Sequence, residues 1–402
     1  MTHRLLLTLW LTTIALTAAD WPQLLGPTRD GVIEAPANKK LIAPQPVWDR
    51  DLGTGFAGAV VADGKVVIAH RLGEDLAVEA IDATTGILLW SFKRPTDYVD
   101  SFGFDNGPRG VPAIADGRIF VHGADGVLDA LDLETGKALW QVDTVKDYES
   151  PQGFFGRACS PLVLGDRVII TPGGTRDGKP AGVVAFDVAN GQPVWQSVAD
   201  EAGYASPMAM GSSQVLCWLR NEVWLLDAAT GQVTAHHRLR ADMEASVNAS
   251  QPVLLSGNRI MLSAGYDVGF HVLQHPSLKP LWTKEGLLDC HYGTPVIEGE
   301  IVFGFDGRQE RGQTLRCIDL ATKDKRWQSP PVPGGTLIRV GSHLLAVTEQ
   351  GELWVIPTAA ASFEPLHQVQ ILRSGHRAHL AFSDGLLFAR DGEQLVAIKV
   401  FE

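Results

Sequence analysis

The sequence predicts an all-β protein, an eight-bladed β-propeller built from four-stranded antiparallel blades. Three observations lead to this prediction. A motif of the form A-x-D-x-x-T-G-x-x-x-W recurs along the chain, a second alternating apolar stretch precedes each copy, and Gly and Pro number 42 and 23 among 402 residues. Clear copies of the motif are spaced 40 to 55 residues apart, a period typical of repeat-built folds. Many short strands joined by tight turns are therefore expected.

The first residues match a secretory signal peptide. Arg4 precedes an apolar run from Leu5 to Leu16, and small residues follow up to Ala19. This order of charged, apolar and small residues is that of a cleaved leader. The alternative is a membrane anchor, but a spanning helix needs roughly 20 apolar residues, more than the run provides. We expect cleavage near Ala19 and a mature chain in the periplasm or outside the cell.

The next segment, residues 20–45, is predicted to be an extended N-terminal arm lying across the ring. It contains Trp21-Pro22 and several further prolines. Residues 46–402 are predicted to form a single propeller domain. Pro46 to Arg50 resembles an orphan outer strand with Trp48, and the last repeat ends at Glu402 before any outer strand. Joining the two would close the ring and leave no open edge. A seven-bladed ring is the alternative.

The strand that opens each blade is predicted from a stretch of the type S/T-P-h-h-x-x-G-x-h-h, where h is apolar. Period-two alternation with Gly-containing turns is the signature of half-buried antiparallel strands joined as hairpins. The first strands should begin near the following residues: Ala59, Pro112, Pro161, Pro207, Pro252, Pro295, Leu337 and Leu380.

The Asp and the Trp of the repeat lie eight residues apart wherever both occur: Asp82 and Trp90, Asp132 and Trp140, Asp187 and Trp195, and Asp319 and Trp327. The repeat that contains Asp227 has no Trp, and the repeat that contains Trp282 has no Asp. We interpret the Asp as a turn residue that accepts backbone N–H bonds, and the Gly as the residue that takes a positive φ. The Trp rings should be largely buried between neighbouring blades. None of the repeat Asp residues is a candidate catalytic acid.

Charge and cysteine content narrow the set of partners. The formal net charge is −12, which disfavours nucleic acid because phosphate binding depends on clustered Lys and Arg. The four cysteines have no C-x-x-C spacing, so neither a zinc site nor a redox motif is predicted. They are interpreted as buried free thiols, with a Cys290–Cys317 disulfide as the alternative in an oxidising compartment. The remaining two cysteines, which are not part of this alternative disulfide, are Cys159 and Cys217.

Several stretches carry a family resemblance that covers nearly the whole mature chain. The repeat resembles the pyrrolo-quinoline quinone (PQQ) repeat of quinoprotein alcohol dehydrogenases and of the propeller lipoprotein of the outer-membrane barrel-assembly machinery. A closer similarity is to secreted propellers common in planctomycetes. It is carried by residues 20–31, Gly107-Pro-Arg109, Thr171-Pro-Gly-Gly174, residues 202–207 and residues 303–310. The resemblance implies a fold and a compartment, not an activity.

Candidate binding residues lie just upstream of the predicted first strands, because a propeller brings all of these entries to one end of its channel. Converging Arg, Tyr and His side chains would suit an anionic or aromatic ligand. The alternative is that they fill the channel mouth and bond backbone carbonyls. The candidates are Arg109, Arg157, Tyr204, Asn248, His291, Tyr292, His376 and Arg377. Neither a metal site nor a catalytic residue is predicted.

Two functions are compatible with the sequence. The first is a non-catalytic scaffold or binding propeller outside the cytoplasm, not membrane-spanning, monomeric and without a cofactor, with a protein or glycan partner. The second is a PQQ-dependent dehydrogenase with PQQ and calcium. The resemblance implies, for such an enzyme, a Cys-Cys pair in many members, a Ca²⁺ site and a catalytic Asp. This chain has no Cys-Cys, and its short repeat intervals leave little room for insertions. The binding propeller is therefore the leading hypothesis.

Overall fold

The computed structural model describes residues 20–35, 39–373, 375 and 377–402. The predicted leader at residues 1–19 lies outside this part of the chain. The described chain forms eight separate blades, each with a four-stranded antiparallel core. This confirms the predicted fold class and the number of blades.

The strands follow one another around the ring, and each blade begins with a short inner strand. The arm and the start of the propeller contribute β1 (Val32–Ile33) and β2 (Leu41–Asp51). Blade 1 consists of β3 (Val60–Ala62), β4 (Lys65–Leu72), β5 (Asp75–Asp82) and β6 (Leu88–Pro95). Blade 2 consists of β7 (Ala113–Ala115), β8 (Arg118–His122), β9 (Val127–Asp132) and β10 (Ala138–Asp143), followed by the short helix α1 (Thr144–Tyr148). Blade 3 consists of β11 (Leu162–Leu164), β12 (Arg167–Ile170), β15 (Val183–Asp187) and β16 (Pro193–Ser197), with an inserted hairpin of β13 (Gly174–Arg176) and β14 (Lys179–Ala181).

The second half of the ring repeats this order. Blade 4 consists of β17 (Met208–Met210), β18 (Gln214–Trp218), β19 (Glu222–Asp227) and β20 (Val233–Arg238). Blade 5 consists of β21 (Val253–Leu255), β22 (Arg259–Ala264), β23 (Gly269–Gln274) and β24 (Lys279–Lys284). Blade 6 consists of β25 (Val296–Glu298), β26 (Ile301–Arg308), β27 (Gly312–Asp319) and β28 (Asp324–Gln328), with a 3₁₀ turn at Gln309–Arg311. Blade 7 consists of β29 (Gly335–Val340), β30 (His343–Thr348), β31 (Glu352–Pro357) and β32 (His367–Gln370). Blade 8 consists of β33 (Ala381–Ser383), β34 (Leu386–Arg390), β35 (Gln394–Phe401) and, as its outer strand, β2.

Pairing of β2 with β35 closes the ring. Trp48 lies opposite Ala397, and Asp51 lies opposite Gln394. The strand begins at Leu41, earlier than the predicted start at Pro46, because Lys40 and Glu402 also exchange backbone hydrogen bonds. Proline is tolerated here since β2 is an edge strand whose outer side needs no donor.

The N-terminal arm, residues 20–35, lies inside the channel. The first strands of neighbouring blades contact one another and so line the axis. Trp21 forms a bridge with Val61 of β3, and β1 pairs in parallel with β29. Trp21, Leu24 and Leu25 are buried. Because the arm bonds to strands of several blades, it acts as an internal plug.

The repeat motif joins each blade to the next. The indole N–H of Trp90 donates to the carbonyl of Leu133 at 3.0 Å, across the boundary between blades 1 and 2. The turn glycine Gly136 lies directly against the same ring, where a Cβ would overlap it. Asp132 accepts the backbone N–H of Thr135 within the turn. The same arrangement joins Trp48, Trp140 and Trp195 to the following blades.

Burial of these rings is less complete than predicted. Trp327 is buried, whereas Trp90, Trp140, Trp195 and Trp282 are half-buried. The rings do lie between blades, but the outer strand stands at the rim of the propeller, so one edge of each ring stays accessible.

Repeats that lack the Trp or the Gly keep the contact between neighbouring blades by placing other residues at these two positions. Ala235 takes the Trp position in blade 4, and the buried Leu278 takes the Gly position in the next blade. In blade 6, Lys323 takes the Gly position and holds its ammonium 4.9 Å from the Trp282 ring.

The four cysteines are free and buried. Among the described residues, no helix is long and apolar enough to cross a membrane.

Candidate functional site

A cavity opens at the end of the channel where the chain enters the first strands, which we call the entry face. Its volume is about 170 Å³. The loops of every blade except blade 7 contribute to its wall. The lining side chains are Leu24, Phe56, Phe104, Arg109, Phe155, Ala158, Ser160, Tyr204, Ser206, Val247, Ala249, Gln251, His291, Tyr292, Gln309, Arg377 and His379. The structure thus brings together Arg109, Tyr204, His291, Tyr292 and Arg377 from the predicted set.

A series of hydrogen bonds fixes the entry loops relative to one another. Ser160 Oγ accepts the N–H of Val111 at 2.8 Å, and Ser206 Oγ accepts the N–H of Ser160 at 2.9 Å. Gln251 Oε1 then accepts from Ser206, and Thr294 Oγ1 accepts from Gln251. These residues precede the prolines of the S/T-P stretches. The stretch therefore encodes a bond between neighbouring blades as well as a strand start.

Both arginines of the cavity wall are held by carboxylates. Arg109 donates to Asp100 Oδ2 at 3.1 Å and to the backbone carbonyls of Asp105 and Gly107. Arg377 Nε lies 3.0 Å from Glu349 Oε1. Each ion pair is neutral in sum, so these arginines alone do not make the mouth a basic patch.

Both guanidinium groups lie within cation–π distance of the Phe56 ring. The Arg109 and Arg377 guanidinium carbons are 5.5 and 5.6 Å from its ring centroid. Arg377 also lies 5.6 Å from the centroid of Phe104. Such cation–π contacts hold a guanidinium flat against an aromatic wall. The cavity therefore has an aromatic wall in contact with two guanidinium groups, each paired with a carboxylate.

Tyr204 anchors the loop opposite the arginines. Its hydroxyl accepts the backbone N–H groups of Phe154 and Phe155, both at 2.9 Å. Burial raises its pKa above the usual value. The Phe155 ring packs edge-on against Tyr204, with centroids 5.8 Å apart. Tyr204 thus fixes the phenylalanine that forms this side of the cavity.

His291 and Tyr292 form a hydrogen-bonded group on the blade 6 side. The His291 ring bonds Gln309 Oε1 through Nδ1 at 2.6 Å and the Tyr266 hydroxyl through Nε2 at 3.0 Å. Burial lowers the pKa of His291, so the ring is neutral near pH 7. Tyr292 donates to Glu349 Oε1 at 2.7 Å, and burial beside this carboxylate raises the Tyr292 pKa well above its usual value. Neither side chain is set up as an acid or a base for the cavity.

Two predicted site residues, Arg157 and Asn248, do not line the cavity. Arg157 donates to the carbonyl and hydroxyl of Ser150 behind the entry loop. The Asn248 amide donates to the carbonyls of Leu219 and Arg220. Both side chains satisfy buried backbone, which is the alternative stated for them above. His376 lies outside the described residues.

The arm forms the floor of the cavity. Leu24 is part of the lining, and Arg29 of the same arm donates to the carbonyls of Pro161 at 2.9 Å and of the lining residue Ser160 at 3.3 Å. Arg29 is only 4% exposed. The arm therefore holds a buried positive charge next to the cavity wall at Ser160, and among the described residues no carboxylate pairs with it.

An aromatic cluster continues from the cavity onto the surface. The cluster consists of Phe102, Phe104, Phe154 and Phe155, whose ring centroids lie 5.1 to 6.4 Å apart. Phe102 and Val99, which lies three residues before it in the chain, are 54% and 63% exposed. Exposed apolar clusters of this kind mark interaction sites on soluble proteins.

Comparison with known proteins places the chain in a family. A family model described as outer membrane protein assembly factor BamB matches residues 103–329, more than half of the chain. The chain belongs to this family. No curated protein matches its sequence.

Solved structures share the fold of this family member at low sequence identity. BamB from Moraxella catarrhalis is 18% identical with a TM-score of 0.66, covering 89% of this chain and 98% of its own. Quinohemoprotein alcohol dehydrogenase from Comamonas testosteroni is 15% identical with a TM-score of 0.75, covering 94% of this chain and 80% of its own. A europium-containing methanol dehydrogenase is 12% identical with a TM-score of 0.71, covering 94% and 89%. At these identities the similarity shows the fold alone.

Several residues of this family member's cavity were missed by the sequence reasoning. Leu24 and Arg29 lie in the arm, far from any first strand in sequence. Gln309 lies in the 3₁₀ turn after β26, next to the Asp306-Gly-Arg308 stretch. Glu349 follows β30 and reaches the wall only through Tyr292 and Arg377. No local sequence signal marks them, because their positions depend on how the blades meet.

Proposed function

We propose that this chain is a non-catalytic binding propeller that acts outside the cytoplasm and holds a protein partner at its entry face. The observation that carries the proposal is the exposed aromatic cluster, in which Phe102 and Phe104 are each more than half exposed. Aromatic side chains at the centre of an interface contribute much of its binding energy. Asp100 accepts the backbone N–H groups of Phe102 and Phe104, and Tyr204 accepts those of Phe154 and Phe155. These bonds hold the loops that carry the cluster, which lowers the cost of ordering them on binding.

The compartment is supported by the start of the sequence. Arg4, the apolar run and Ala19 have the order of a secretory leader. The family to which the chain belongs is that of BamB, an outer membrane protein assembly factor, and BamB from Moraxella catarrhalis shares the fold. A location outside the cytoplasm agrees with both.

Absence of a suitable donor set argues against the dehydrogenase alternative. Calcium takes six to eight oxygen ligands. In the described cavity, Glu349 is already shared by Tyr292 and Arg377. The amide oxygens of Gln251 and Gln309 accept from Ser206 and His291. These residues do not fit a calcium-bound quinone, and we assign no step through one.

The proposal can be tested by capture with the full mature chain. Wild type, a Val99→Ser/Phe102→Ser variant and a matched control, Leu139→Ser on the outer strand of blade 2, would be immobilised and exposed to the extracytoplasmic proteins of the source cells. We expect a discrete set of proteins to be retained by wild type and by the control, and lost in the entry-face variant. Equal retention by all three forms, or retention of glycans without protein, would contradict the proposal.

The rival activity has a separate test. The purified protein would be incubated with PQQ and Ca²⁺, desalted and assayed for quinone absorbance and for alcohol oxidation with an electron acceptor. We expect no retained quinone and no turnover. Stoichiometric quinone with turnover would establish the dehydrogenase instead.

A further inference from the structure

The cavity is sized for a single ring. At about 170 Å³, it is close to the roughly 150 Å³ of an apolar cavity that takes up benzene. Phe56, Phe104 and Phe155 form its walls, Leu24 its floor and Val247 one side. Offset and edge-on contacts with three aromatic rings favour a flat aromatic guest over an aliphatic one.

The polar atoms of the wall select a particular group on that ring. The side chains of Tyr292, His291 and Gln309 are bonded to one another or to neighbours. Arg377 uses its Nε for Glu349, and its two Nη atoms make no hydrogen bond within the described residues. A guanidinium oriented in this way by one carboxylate presents its other edge to a second, planar acceptor.

The charge balance of the site favours an anion. Arg109 with Asp100 and Arg377 with Glu349 sum to zero. Arg29, which bonds the carbonyl of the lining residue Ser160, adds a buried positive charge with no carboxylate partner among the described residues. A charge in such a water-excluded position acts over a longer distance than one on the surface, because solvent and salt screen it less.

We propose that the cavity binds a small aromatic monocarboxylic acid, with its ring between Phe56, Phe104 and Phe155 and its carboxylate on the Nη edge of Arg377. Arg29 is a positioning residue that raises affinity for the anion without touching it. This goes beyond the proposed function, because it assigns a small-molecule ligand to the cavity, whereas the proposed protein partner contacts the exposed side chains around Phe102.

Calorimetric titration of the mature protein with 3-phenylpropionate tests the proposal. We expect binding of the acid and at least about 10-fold weaker binding of its neutral amide, because the amide cannot form charge-assisted hydrogen bonds with the guanidinium. Hexanoate, which carries the charge without the ring, should also bind more weakly. Equal binding of acid and amide, or tighter binding of hexanoate, would overturn the proposal.

Substitutions of Arg377, Arg29 and Leu24 test the role of each residue in binding the acid. Arg377→Gln should weaken the acid about 10-fold and leave the amide unchanged, whereas the matched control Arg373→Gln, an exposed residue of the same loop outside the cavity, should change neither. Arg29→Met should weaken the acid, and Arg29→Lys should restore most of the loss. Leu24→Trp should block both compounds by filling the floor.

The experiments distinguish a failure of the small-acid site from a failure of the proposed protein-binding function. Val99 and Phe102 do not line the cavity, so partner capture and acid binding respond to different substitutions. If none of the three compounds binds while partner capture persists, the small-acid site is refuted and the binding propeller stands.

Discussion

Individual residues of the repeat act across blade boundaries. Within its own turn Asp132 fixes Thr135, and this places Gly136 flat against the Trp90 ring of the preceding blade. The ring then closes the contact with its N–H on Leu133. The hydrogen bonds within the turn thus also position the residues that pack against the neighbouring blade. This explains why Asp, Gly and Trp recur at a fixed spacing.

The turn glycines give a residue-scale prediction. Gly136→Ala should destabilise the protein by more than about 2 kcal/mol, because it combines a left-handed backbone, which costs roughly 1 to 2 kcal/mol, with overlap on the Trp90 ring. Gly64→Ala is the matched control, since Gly64 has a similar φ of 71° and nothing within 4 Å of the added carbon. Urea denaturation of both variants measures the difference. Equal losses would show that the ring contact contributes nothing.

Arg157 gives a second prediction at this scale. Its guanidinium bonds the carbonyl of Ser150 in a buried position, so Arg157→Ala leaves an unpaired acceptor at a cost of about 1 to 3 kcal/mol. Arg373→Ala removes only an exposed ion pair with Asp49, and such pairs contribute about 0 to 1 kcal/mol. Thermal melts compare the two. An unchanged melting temperature for Arg157→Ala would show that its buried bonds are dispensable.

Among the elements, β2 and the N-terminal arm stabilise parts of the ring that are distant from them in sequence. β2 completes blade 8 by pairing with β35, and the arm bonds to first strands around the channel. Both belong to the same N-terminal segment. The first described residues of the chain therefore stabilise the ring at its rim and at its axis.

Truncation separates these contributions. Deleting the mature chain through Ala35 should remove the plug, open the channel and abolish binding in the cavity, because Leu24 and Arg29 leave with it. Deleting through Leu52 also removes β2 and exposes the edge of β35, so stability should fall further and the protein should associate through the open edge. Urea midpoints and light scattering measure both effects. A longer deletion as stable as the shorter one would contradict closure by β2.

Across the whole molecule, stability depends on buried neutral histidines. Burial, with nearby Arg390 and Arg50, lowers the pKa of His70 to about 4, and burial, with Arg157, lowers that of His122 to about 4. Both side chains are almost fully buried. In the unfolded chain each titrates near 6.5.

The sign of the pH effect follows from these values. Between about pH 6.5 and pH 4 the unfolded chain binds protons that the folded chain does not, so stability falls as pH falls through this window and is nearly constant above it. Each histidine contributes about 1.4 kcal/mol per pH unit. Denaturation curves across this range should show the loss, and His122→Gln should reduce it, whereas His236→Gln, at an exposed site, should not. A flat profile for wild type would refute the assignment.

The sequence by itself determined the blade count, the first strands and the closing strand. These features depend on residues close together in the chain, as in Ser160-Pro161 at a strand start or the turn between Asp132 and Gly136. It also indicated that the entry loops converge, which placed Arg109, Tyr204, His291, Tyr292 and Arg377 on one cavity. Only the tertiary structure decided that Arg157 and Asn248 face buried carbonyls and that the arm brings Leu24 and Arg29 to the cavity. The physical reason is that a side chain's direction and partners depend on contacts between distant blades, and these leave no periodic signal in the local sequence.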